Sequence, residues 1–272
     1  MLTINPKDIE VPKLHHYLLG AVGPRPIAFA STISEDGIPN LSPFSFFNVF
    51  SANPPIMIFS PARSGRTGAT KNTLDNVKTI KEVVINVVNH DIVQQMSLSS
   101  SPYDASIDEF VKAGLTPVAS EEIKPFRVKE SPVQFECKVN EIVELGQNGG
   151  AGNLVICEVV KIHINEAVLD DKGMIDQHKI ELVSRMGGNW YCRADKNSMF
   201  EIQKPITSIG IGVDQIPTAI KNSTILSGND LGLLGSVEEI PEGIASDASN
   251  HQEAKDLLAK DEVESAWKVL LG

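Results

Sequence analysis

Between Pro26 and Phe59 the chain is cut into short β-rich runs by Gly37, Pro39, Pro43 and the triplet Asn53-Pro54-Pro55. Proline lacks a backbone donor and blocks helix continuation, so breaks this frequent leave room only for short strands and turns. The pattern predicts a strand from Ile27 to Ile33 and a turn at Ser34-Glu35-Asp36-Gly37, where glycine supplies a positive φ. The chain then runs into Ser42–Asn48, and Ile56–Phe59 follows as an apolar strand that Ser60-Pro61 ends.

Downstream, Thr70 to about Lys81 predicts a helix with Leu74 and Val77 on one face, opened by any of the caps Thr70, Asn72 or Thr73. Val83–Val88 reads as a buried strand and Asp91–Leu98 as a short helix. The polar stretch from Ser99 to Pro125 reads as a functional excursion or lid, and Ser97–Ser101 as loop. Val133–Val143 and Leu154–Ile164 form a strand pair across the glycine-rich link 146–152. Many strands separated by turns, with few helices, predict a mainly β chain forming a closed or nearly closed barrel. The texture changes after Asp195. Residues 1–200 are expected to form the barrel domain with peripheral helices. Residues 201–272 are expected to form an acidic, helical C-terminal extension packed on it or on a partner subunit, with one amphipathic helix over His251–Leu271.

Charge limits the ligands. The net charge is −11, which disfavours nucleic acid, because polyanions are repelled by an acidic surface. No apolar run reaches the ~18 residues of a membrane helix, and Met1–Glu10 lacks the apolar core of a signal peptide. A soluble cytoplasmic protein is therefore expected. Cys137, Cys157 and Cys192 form no Cys-x-x-Cys, and the first two sit in apolar stretches as small hydrophobes. The histidines show no metal-ligand spacing, and Gly210-Ile211-Gly212 has two of the three glycines of a dinucleotide fingerprint.

Three stretches carry groups suited to binding. The helix start Thr70-Lys71-Asn72-Thr73 offers N–H groups and a cation to an anion, and equally suits an ordinary capped helix. In Ser42–Asn48, Phe44, Phe46 and Phe47 read first as core, whereas Ser45 and Asn48 need polar partners if buried. Arg185-Met186-Gly187-Gly188-Asn189-Trp190-Tyr191 combines a fixed cation, paired glycines and two amphipathic rings, as a site or a surface turn would.

These stretches occur in the order and at the separations of a known family. Together with Asn86-Val87-Val88 and Ser131-Pro132-Val133-Gln134-Phe135-Glu136-Cys137, they make residues from about 15 to 200 closely resemble the flavin reductase-like FMN-binding family. The resemblance implies a split β-barrel, FMN as cofactor, and a homodimer with flavin near the subunit interface. It implies that Thr32 and the segment holding Ser42, Phe44, Ser45, Phe46 and Asn48 line the ring and ribityl chain. Ser60, Lys71 and Thr73 would hold the phosphate, and Arg185, Gly187, Trp190 and Tyr191 would close the site. One departure stands out: family reductases serving two-component monooxygenases often carry Gly-Asp-His where this chain has Gly152-Asn153-Leu154. The expected function is FMN-dependent electron transfer, with NADH or NADPH as donor and a small-molecule acceptor. The alternative is a flavin-binding or interaction protein without nicotinamide-dependent turnover.

Overall fold

The computed structural model describes residues 1–202, 208–244 and 250–272, which divide into two compact units, Met1–Phe200 and Glu201–Gly272. The first unit is built on a seven-stranded antiparallel sheet. Its strands are β1 (Ala28–Ile33), β2 (Pro39–Phe44), β3 (Phe47–Ala52), β4 (Pro55–Phe59), β5 (Glu82–Asn86), β8 (Val133–Glu144) and β9 (Asn153–Ile164), in the order β2-β1-β5-β8-β9-β4-β3. Two smaller ladders pair β6 (Pro117–Val118) with β7 (Arg127–Val128), and β10 (Val183–Arg185) with β11 (Tyr191–Arg193).

The edge strands β2 and β3 are consecutive in the chain, joined only by Ser45 and Phe46. A sheet whose two edges lie two residues apart has to curl, and the Phe44 and Phe59 rings meet at 5.6 Å inside the curl. No β2–β3 ladder closes it among the described residues, so the barrel is open along one seam. The β1–β2 turn forms at the expected place: Gly37 has φ +81°, and its N–H donates to Ser34 O at 3.0 Å.

Alternation along β1 feeds two cores at once. Ala28 and Ala30 face the barrel interior with Phe44, Phe59, Cys137, Cys157 and the buried face of helix α2 (Asn72–Ile80). Ile27 and Phe29 face outward, against Met96 of α3 (Val93–Ser99) and Phe110 of α4 (Glu109–Ala113). The stretch expected to be a lid is thus largely part of the body, because Phe110, Ala113 and Leu115 bury apolar surface there. The serine run expected as loop is helical to Ser99, held by buried Met96 and by Ser99 Oγ donating to Met96 O at 2.8 Å. Helix α1 (Val11–Ala21), absent from the sequence reading, has no buried residue.

The second unit contains only helices among its described residues: α6 (Thr218–Lys221), α7 (Gly228–Leu234), α8 (His251–Leu258) and α9 (Val263–Leu271), with α5 (Gln177–Ile180) belonging to the first unit. The mainly β expectation therefore holds for the sheet-bearing unit and not for the whole chain. The single helix expected over His251–Leu271 is two helices. Asp261, at φ +63°, turns the chain so that α8 and α9 pack around the fully buried Trp267, whose Nε1 donates to Leu234 O at 3.1 Å. The glycines of Gly210-Ile211-Gly212 serve close backbone approach: a Cβ on Gly210 would lie 2.4 Å from Gly235 O.

Candidate functional site

Strand β2 links the two parts of the site. At one end Asn40 is the hub of a buried polar cluster. Its Nδ2 donates to Glu109 Oε1 at 2.9 Å, which fixes the amide so that Oδ1 points back at the sheet. Thr73 Oγ1 of α2 donates to that oxygen at 2.7 Å, and Thr32 Oγ1 of β1 at 3.3 Å. Asn76 Nδ2 in turn donates to Thr32 Oγ1 at 3.0 Å. Glu109 also accepts from Leu41 N at 3.0 Å. Burial pushes the Glu109 carboxyl above its ordinary range, and these hydrogen bonds only partly offset it. Thr32 and Thr73 are therefore buried, with their hydroxyls engaged inside the protein.

Thr73 fastens the first turn of α2 to β2 and leaves the helix tip open. Lys71 is the N-cap and makes no side-chain cap bond, because its ammonium has no acceptor to offer, while the preceding Thr70 Oγ1 donates to Asp75 Oδ2 at 3.0 Å. The N–H groups of Asn72 and Thr73 have no acceptor among the described residues, and the Lys71 side chain is exposed beside them. A helix start with free donors and an adjoining cation is suited to an anion. Upstream, Arg63 is committed to Glu144 at 3.3 Å and Gln147 at 3.0 Å, which pins the loop before α2 to the end of β8.

At its other end β2 runs into Ser45, which opens on a hollow of about 400 Å³. Ile27, Pro43 and Met96 give it an apolar wall, and Ser97 and Ser100 of the α3 end add hydroxyls. Arg185, Asn189 and Tyr191 form the opposite side. The Arg185 guanidinium lies over the Tyr191 ring, 4.6 Å from its centroid, and donates to Gly188 O at 2.7 Å. Gly188, at φ +58°, makes the β10–β11 turn, whereas Gly187 allows close approach: a Cβ there would sit 3.1 Å from Gly20 Cα. Arg25 locks this corner, donating to Leu19 O and Met186 O at 2.8 Å each and to Val22 O.

The remaining residues singled out in the sequence are dispersed. Ser42 is half-buried on β2 opposite Ala30, and Phe44 is in the barrel core. Phe46 is partly exposed, edge-on to His15 of α1 at 6.4 Å. Asn48 is exposed and accepts from Val49 N, and Trp190 is 77% exposed. Ser60 accepts from Asn153 N at 3.0 Å, under Gly152, where a Cβ would lie 2.9 Å from its hydroxyl. Fully buried Asn153 donates to Pro61 O at 2.8 Å, which staples β9 to the end of β4 and leaves the adjacent Leu154 half-buried. Glu109 and Met96 lie in no motif, and Arg25 and Asn40, although inside the run from Arg25 to Asn48, carry no sequence signal of a site role; only the tertiary fold brings the four here.

The described residues hold no group of His, Cys, Asp and Glu able to bind a metal, and no helix among them is long and apolar enough to cross a membrane. The family model described as flavin reductase like domain matches residues 21–180. A protein from Aquifex aeolicus is 36% identical over 189 residues, covering 69% of this chain and 93% of its own. Nitrilotriacetate monooxygenase component B from Bacillus cereus superposes with a TM-score of 0.69 at 30% identity, covering 74% of this chain and 98% of its own. A structure from Shewanella frigidimarina, described as a flavin reductase with split barrel domain, gives 0.62 at 26% identity over 75% of this chain and all of its own.

Proposed function

The chain belongs to the flavin reductase-like domain family, and from that premise we propose that it binds FMN and passes electrons through it. The observation that carries this reading is the layout of β2. A phosphate-sized helix tip is anchored at Asn40, and a ring-sized hollow opens at Ser45. Strand rise puts these ends roughly 15 Å apart, a separation suited to a planar ring on an extended phosphorylated arm. Lys71 and the first-turn N–H groups of α2 hold the phosphate, with Thr73 fixing the helix tip. Ser42 and Ser45 offer hydroxyls along the arm and ring, and Tyr191 and Arg185 cover the far side. Bound FMN supplies hydride and electron transfer; the protein supplies orientation and exclusion of water.

The active unit is a homodimer. Phe46, Val49 and Phe50 on and beside the edge strand β3, with Tyr17 and Leu18 of α1, are large apolar side chains left exposed. A second copy covering them would bury a contiguous surface and enclose the ring. Sedimentation of the purified protein as a monomer at micromolar concentration would remove this element.

A second reading, flavin binding without nicotinamide turnover, is favoured by one observation: Leu154, with no titratable group, stands where many family reductases have histidine. The experiment is FMN titration of the apoprotein, followed by anaerobic addition of NADH or NADPH. Bleaching of the bound flavin by either donor supports the reductase. Bound flavin inert to both leaves the second reading, and failure to bind FMN ends both.

A further inference from the structure

Glu109 is a buried acid with no cation to balance it. It is 4% exposed, and no ion pair reaches it among the described residues. Its two oxygens accept from neutral donors, Asn40 Nδ2 at 2.9 Å and Leu41 N at 3.0 Å. The surrounding elements leave the charge uncompensated. Strands β1 and β2 and helix α3 carry no ionisable side chain. At α2, Lys71 is exposed, Lys78 pairs with Glu144, and Asp75 accepts from Thr70. On α4 itself, Lys112 lies over the Tyr103 ring, 5.8 Å from its centroid, and Arg127 of β7 turns to Gln134 and Glu136. Asp108, the α4 N-cap, adds a like charge. Neutral hydrogen bonds satisfy a carboxylate without neutralising it, so burial holds this acid above its ordinary range.

A hydrogen-bonded chain runs from this acid to the tip of α2. Asn40 is the middle link, since its amide is held by Glu109 on one side and its Oδ1 accepts from Thr73 Oγ1 at 2.7 Å on the other. Thr73 is the second residue of α2, and its N–H and that of Asn72 are the open donors of the helix start. One amide and two hydrogen bonds therefore separate the carboxylate from the turn assigned to the phosphate. That span is within about 10 Å, the screening length at 0.1 M salt, and it crosses protein interior instead of water. Two negative charges placed at its ends repel each other strongly enough to change an affinity several-fold.

We propose that Glu109 is a proton-linked positioning residue of the phosphate site: through Asn40 and Thr73 it sets the α2 tip, its charge opposes a flavin phosphate there, and FMN therefore binds with uptake of a proton from solvent at Glu109. The phosphate rests on the FMN reading, whereas the linkage does not follow from that reading and fails independently of it. The sign is fixed. As pH rises above the ordinary 4.5, Glu109 ionises and the wild type loses hold on FMN; by reciprocity, bound FMN makes Glu109 keep its proton to higher pH. The second ionisation of the flavin phosphate, near pH 6, acts on every variant alike and cancels when two proteins are compared.

The test is fluorescence titration of the full chain with FMN and with riboflavin, wild type beside E109Q, over a series of pH values above 4.5. For FMN, the ratio of the wild-type Kd to the E109Q Kd should rise about five-fold across the series. For riboflavin, which has no phosphate, the ratio should stay flat. A flat FMN ratio overturns the proposal. A riboflavin ratio that rises in parallel also overturns it, because Glu109 would then act through the fold and not on the phosphate. Should E109Q not fold, carbon-13 NMR of wild type labelled at the glutamate carboxyls decides. The glutamate resonance with the raised midpoint should titrate higher still with FMN bound and not with riboflavin, and an unmoved midpoint overturns the linkage. A protein that binds neither flavin ends the FMN reading and the linkage with it, whereas FMN binding with a flat ratio ends the linkage alone.

Discussion

Glu136 and Glu109 are both buried carboxylates, and the fold treats them oppositely. Glu136 has no solvent exposure, and burial would raise its pKa. It nevertheless lies below its ordinary range, because it accepts from Glu121 N at 2.9 Å and Glu122 N at 2.8 Å and pairs with His163 Nε2 at 2.8 Å. Glu136→Ala should strand those N–H groups and cost about 3 kcal/mol in urea denaturation. A loss below about 1 kcal/mol would mean that the 119–127 segment opens to water instead. For Glu109 the sign reverses. Its folded pKa is raised above the ordinary 4.5, so the folded state binds more protons than the unfolded state in the window between the two values. Its contribution therefore falls as pH rises through that window. Glu109→Gln should gain on the wild type in melting temperature as the pH is raised above 4.5, and a parallel pair of curves would contradict the assignment. Neither role was legible in the sequence. Glu136 sits on the exposed side of an apparently half-exposed strand, and only the segment folding back over it makes that side an interior.

Among the elements, strands announced themselves where breakers and apolar runs agreed. The β1 turn, β4, β8 and β9 all fall where proline, glycine and alternation placed them, to within a few residues. Helices whose partners are remote did not. Helix α1 has no fully buried residue, and the end of α3 is a serine run that helix propensity does not favour. The break between α8 and α9 depends on a left-handed aspartate. Helix α2 lies between these cases: Leu74 and Val77 gave its face, but three candidate caps hid that the cap is Lys71, with no side-chain bond. That bare start has a consequence. Lys71→Ala should raise the Kd for FMN about ten-fold at low salt and leave the melting temperature of the apoprotein nearly unchanged, since the side chain is exposed and uncapping. The ratio should shrink as ionic strength rises. A salt-independent effect would point to a steric role instead, and no effect would move the phosphate away from α2.

For the whole molecule, the two units differ in what their neighbours contain. The family model ends at residue 180, and the Bacillus cereus structure is covered to 98% by only 74% of this chain, leaving about a quarter without a counterpart there. The second unit has its own buried core, in which Ile216, Ile220, Leu234, Leu258 and Leu270 gather with Trp267. It is also the more acidic part, with 12 acidic against 5 basic side chains, where residues 1–200 have 23 against 19. Every residue assigned here to the flavin, from Ser42 to Tyr191, lies in the first unit. A chain ending at Phe200 should therefore fold, with the near-UV circular dichroism of a packed core, and bind FMN within about three-fold of the full-length Kd. If it folds but loses FMN, residues 201–272 contribute directly to the site. If it binds FMN normally but loses activity toward one electron acceptor, the acidic unit selects that partner, and its charge becomes the feature to reverse next.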